Sequence, residues 1–151
     1  MRVVKPKYHC DRANILTKRA FLPGRGASGV SVLRHTILGS DECKRIATGI
    51  IAPGDYGGLA GATVGVVSGL GVLVVDHPVE AFDGHAEMEY GIRRPANDEP
   101  LDAESNLKLN TLLSQLAGRF VYHADPDVAS PMWKGPCPCA ACPPRTRPDV
   151  P

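Results

Sequence analysis

From Gly57 to Val75 the chain runs nineteen residues without a charge, bounded by Asp55 and Asp76. Such a stretch must lie in a membrane or in a protein interior, and either answer constrains everything around it. Gly57, Gly61, Gly65 and Gly69 recur every four positions, the small-residue spacing that lets membrane helices approach closely. The same stretch holds six glycines, is flanked by acids and has no basic cluster to orient it in a bilayer. Two β-branched runs, Ala62 to Val67 and Val72 to Val75, flank a glycine-containing turn, Ser68 to Gly71. The expectation is a buried hairpin, with no membrane as partner.

Composition agrees with a small globular α+β domain. The chain has 151 residues, 43% of them apolar and 22% charged, which suits one compact unit. Its 16 Gly and 14 Pro favour short elements and many turns over a helical bundle. Net charge is +1, so no strong nucleic-acid footprint is expected. The first residues, Met1 to Lys5, contain no apolar run of the kind that makes a secretory leader, which predicts a cytoplasmic, reducing setting. We expect one domain over residues 1–125, with a mostly antiparallel sheet of five to seven short strands and two helices. Residues 126–151, eight of them proline, form a Pro/Cys-rich tail that is either draped on the domain or loose.

Strands are expected at Arg2 to Lys5, Ala20 to Leu22, Val30 to Leu33 and Phe120 to Tyr122. Ser40 can cap a helix whose stripe is Cys43, Ile46, Ala47, Ile50 and Ile51, stopping before Pro53. A second helix spans about Asp102 to Ala117, burying Leu109, Leu112, Leu113 and Leu116, with Gly118 as its stop. Gly24 to Gly29 spells G-x-G-x-x-G, yet Val30 to Leu33 after it is strand-like. A dinucleotide site needs a helix there, so the segment reads as a turn between strands.

The sharpest chemistry lies in His85-Ala86-Glu87 and Pro138-Cys139-Ala140-Ala141-Cys142. Together they resemble the signature of the zinc-dependent deaminase superfamily, H-x-E followed by P-C-x-x-C. The resemblance implies a zinc ion held by His85, Cys139 and Cys142, with Cys137 as a further candidate ligand. Its bound water would attack a nucleobase or nucleotide while Glu87 shuttles protons. It also implies a helix at His85. A wider string, Ala20 to Pro23, Gly29 to Val32, Val74 to Pro78 and His85-Ala86, is similar to a scattered group of small bacterial proteins and implies no chemistry.

Read from the residues themselves, His85 to Ile92 alternates, with Ala86, Met88, Tyr90 and Ile92 on one side and His85, Glu87 and Glu89 on the other. That period of two predicts a half-buried strand. A Glu-x-Glu pair with Arg34 on an earlier strand is similar to the ADP-ribosyltransferase arrangement, which implies an arginine on the NAD pyrophosphate and a glutamate on the ribose. Trp133, the only tryptophan, is expected to pin the tail or to anchor a partner. Three functions stay open. One is a zinc deaminase, one a non-catalytic binding or regulatory module with an unknown protein partner and a zinc-stapled or free-thiol tail, and one an NAD-consuming transferase.

Overall fold

The computed structural model describes residues 1–10, 15–52, 54–80, 83–97 and 99–138. The chain is α+β, and among the described residues the paired strands run antiparallel. Strands β1 (Arg2–Val4), β5 (Gly58–Gly61) and β8 (Val121–Ala124) form one sheet in the order β1-β5-β8. Strands β4 (Gly29–Leu33), β6 (Leu73–Asp76) and β7 (His85–Glu89) form another in the order β4-β7-β6. β2 (His9–Cys10) and β3 (Ile15–Leu16) make a short separate ladder. The two larger sheets are joined where Leu33 N donates to Met1 O at 2.7 Å and Met1 N donates to Leu33 O at 2.6 Å.

Helix α1 (His35–Ile50) carries a kink at Gly39, whose φ of 73° is a left-handed value that a side chain would disfavour. The main helix therefore begins at Ser40, as its sequence pattern suggests. Cys43, Ile46 and Ala47 are buried together with Leu33, Tyr56 and Leu59. Ile50, expected in that stripe, is 70% exposed, because it sits in the last turn where the helix leaves its packing surface. Helix α3 (Ala103–Arg119) buries Leu109, Leu113 and Leu116, and Asp102 caps it by accepting from Ser105 N at 2.8 Å. The helix continues through Gly118 to Arg119.

The uncharged stretch is divided differently from the expected hairpin. β5 and β6 are strands, but between them lies a third helix, α2 (Val64–Ser68), where β-branched residues predicted a strand. Thr63 accounts for this: its hydroxyl accepts from Val66 N at 3.4 Å and closes the first turn. A local cap and the packing of Val67 thus override a modest strand propensity. Likewise Lys18–Phe21 is a single 3-10 turn that buries Ala20 and Phe21 rather than a strand. Among the described residues no helix is long and apolar enough to cross a membrane.

The tail is draped on the domain as far as Pro138. Lys44 on α1 is fully buried, and its Nζ lies 2.7 Å from Asp125 Oδ2, another fully buried group. The same ammonium donates to Asp127 O at 2.7 Å and Met132 O at 3.1 Å. Trp133 N donates to Asp41 Oδ1 at 2.7 Å, and its indole donates to Pro136 O at 2.8 Å, so the tryptophan pins the tail. Pro138 is buried against β5, where a Cβ on Gly61 would lie only 2.3 Å from Pro138 O.

Candidate functional site

Strand β7 settles where the residues of the H-x-E motif point. It pairs with β4 so that Leu33 faces His85, Ser31 faces Glu87 and Gly29 faces Glu89. Ala86 and Met88 are buried, while His85, Glu87 and Glu89 are half-buried on the opposite face, as the alternation predicts. The helix implied at His85 by the deaminase resemblance is therefore a strand. His85 Nδ1 lies 2.6 Å from His77 O, and the two imidazoles meet edge to face with centroids 5.6 Å apart.

Glu87 and Glu89 line a polar groove on this outer face, shared with Arg2, Ser28, Ser31 and Arg93. Its polar side chains are largely engaged with one another or with backbone. Ser28 Oγ donates to Glu89 at 2.5 Å, Arg2 Nη1 to Ser31 O at 2.9 Å, and Arg93 Nε to Gly26 O at 2.8 Å. The glycine-rich segment enters this groove through a turn at Arg25 and Gly26 and continues directly into β4, without a helix to receive a pyrophosphate.

Arg34 is not part of this groove. It follows Leu33, at the His85 end of the ladder, so Glu89 is four residues away along β7, or about 13 Å at strand spacing. Its guanidinium instead pairs with Asp76 and donates to Asp83 O at 3.4 Å. Cys137 is disulfide-bonded. Cys139 and Cys142 lie outside the described residues, and among the described residues no three His, Cys, Asp or Glu side chains converge as a metal site.

An apolar concavity is lined by residues of both larger sheets. It is a cleft of about 240 Å³ walled by Val32, Val67, Val74, Met88 and Phe120, with Pro138 of the tail completing one side. Arg34, His35, Thr36 and Thr63 add polar side chains to the lining, and the Met1 ammonium, which donates to Leu33 O, lies beside them. Burial holds the His35 imidazole below its ordinary pKa, and its Nε2 lies 2.9 Å from Ser40 Oγ. Arg34 Nε is buried and has no hydrogen-bond partner among the described residues. A buried donor without an acceptor is costly, on the order of 1–3 kcal/mol, so its place at a rim is informative.

Sequence reasoning did not find this cleft. Its walls come from four separate elements, the junction at Phe120 and the tail, and of its polar residues only Arg34 carried a functional expectation, for a different partner. No family model, no curated protein and no solved structure matches the chain. Function has to be read from these side chains.

Proposed function

We propose that the chain is a non-catalytic binding module, and that its ligand is a small, mostly apolar molecule held in the cleft between the two sheets. The cleft itself carries this reading. At about 240 Å³ it exceeds the roughly 150 Å³ apolar cavity that suffices to bind benzene, and its mostly apolar lining carries a few polar groups, the usual division of labour in a ligand site. Titration of ¹⁵N-labelled protein with hexan-1-ol tests it. Saturable shifts should gather at Val32, Ala62, Val67 and Met88 and vanish in Val67→Phe, which fills the space. Shifts elsewhere, or shifts indifferent to the filled cleft, would overturn the reading.

The extended geometry of β7 supports this reading over the zinc deaminase, whose resemblance implies a helix for His85 and Glu87. Elemental mass spectrometry separates the two. One zinc per chain, lost in both His85→Ala and Cys139→Ser, would replace the binding module with a metal centre joining His85 to the tail. Zinc lost only in Cys139→Ser would mark a structural site in the tail and leave the cleft as the binding site. The separation of Arg34 from Glu89 counts equally against an NAD-consuming transferase.

A further inference from the structure

The cleft is chemically lopsided, and the lopsidedness points to the kind of molecule it takes. Its walls are aliphatic and aromatic carbon, with no charged side chain among Val32, Val67, Val74, Met88 and Phe120. The polar side chains of its lining are those of Arg34, His35, Thr36 and Thr63. Arg34 follows β4 directly, and its backbone is fixed by Arg34 N donating to Gly84 O at 2.8 Å. Asp76 and Asp83 O take up its terminal nitrogens, which orients the guanidinium plane. That leaves Nε–H as a buried donor with no acceptor among the described residues. Thr63 also lines the cleft, with its oxygen accepting from Val66 N, so its hydroxyl proton remains available to donate. The acidic groups of the outer face, Glu87 and Glu89, lie on the other side of the sheet and line a different groove. An anion entering the cleft thus meets donors and no carboxylate among its lining residues.

We infer that the cleft recognises a small apolar carboxylate, whose hydrocarbon part lies against Val67, Val74, Met88 and Phe120 and whose carboxylate accepts from Arg34 Nε and the Thr63 hydroxyl. The inference rests on the binding-module reading above and specifies its ligand class. A carboxylate suits the site better than a neutral acceptor because it adds the attraction between opposite charges to the hydrogen bond from the guanidinium. The orienting contacts from Asp76 and Asp83 make Arg34 a prearranged donor, so little side-chain freedom is lost when the ligand arrives.

Hexanoate and hexanamide, matched in shape and differing in charge, test this by NMR titration of the full chain at pH 7.5. Hexanoate should bind at least tenfold tighter than hexanamide. Arg34→Gln should weaken hexanoate at least tenfold and hexanamide distinctly less, so that the gap between acid and amide closes. Asp76→Asn keeps an oxygen acceptor to orient Nη1 and removes the competing negative charge, so it should tighten hexanoate and leave hexanamide unchanged, and it keeps the test alive if the arginine variant folds poorly. Equal affinity for acid and amide, with shifts at the cleft, would overturn the carboxylate inference and leave the apolar module standing. Failure of both ligands to shift cleft residues would overturn the module itself.

Discussion

Two ion pairs engage the first long helix, one at its N-cap and one midway along it, and they differ in almost everything except their chemistry. Lys44 and Asp125 have side chains 1% and 0% exposed, whereas Arg34 and Asp76 are 30% and 62% exposed. The buried pair is surrounded by further partners, since Lys44 also donates to Asp127 O and Met132 O. Its neighbour Tyr56 is pushed well above the ordinary phenol range by burial and by the Asp125 charge. The exposed pair is loosely framed and leaves a donor over. A charge taken fully out of water is tolerable only when all its valences are met, so the first pair acts as a fastening that cannot be half undone. A charge at a rim keeps water as an alternative partner, so the second pair can exchange one acceptor for another.

Breaking the buried pair should have the largest effect. Lys44→Met leaves Asp125 charged and alone in the interior, with an expected loss of about 3–5 kcal/mol in denaturant unfolding. The double variant Lys44→Met with Asp125→Leu should recover most of it, and a double variant as unstable as the single would show that the pair is not the cause. Loosening should also be visible next door. Burial raises the Cys43 thiol to about 11, so native protein should react slowly with maleimide at pH 8 at this position and faster in Lys44→Met.

Gly61→Ala comes next. Its new methyl would press on Pro138 O, and overpacking of this kind costs roughly 1–3 kcal/mol. Hydrogen exchange should quicken over residues 134–138 while α3 remains protected. Uniform quickening would mean that the tail and core open together. Arg34→Met should cost less than about 1 kcal/mol, and the loss should shrink further in high salt.

The smallest effect concerns pH. Burial lowers the folded pKa of both His35 and His123 below the unfolded value of 6.5. The unfolded chain therefore binds more protons as pH falls through about 6.5, and stability must decline in that direction. The Tm should be lower at pH 5.5 than at pH 7.5, and His123→Gln should narrow the difference. An unchanged difference would exclude His123 as a contributor.

How much of this was legible depended on how local the cause was. The strand at His85–Glu89 declares itself because Ala86 and Met88 alternate with three polar residues, and α3 because its leucines recur on one face above an Asp cap. The α2 segment misled because Val64, Val66 and Val67 favour a strand, and only the Thr63 cap and the packing of Val67 decide otherwise. Lys44 reads as a surface residue from its neighbours alone. Its partner Asp125 lies on the far side of two sheets in the sequence, with no motif linking them. The cleft was invisible for the same reason, being an effect of assembly rather than of any segment. The H-x-E and P-C-x-x-C match gave a clear motif, but β7 is extended, and Cys139 and Cys142 fall outside the described residues.

The position of β5 at the centre of its sheet sets a timetable. Gly58 pairs with Val4 on one edge and with Ala124 on the other, both more than fifty residues away along the chain. During synthesis β1 must wait for β5, and β5 must then wait for the last strand before its second edge is covered. Contacts between such remote segments are slow to close, which places folding in the millisecond-to-second regime rather than among fast helical bundles. Through that interval Leu59 and Ala60, both fully buried at the end, sit on an open strand edge, the moment at which this chain is most exposed to pairing with a wrong neighbour.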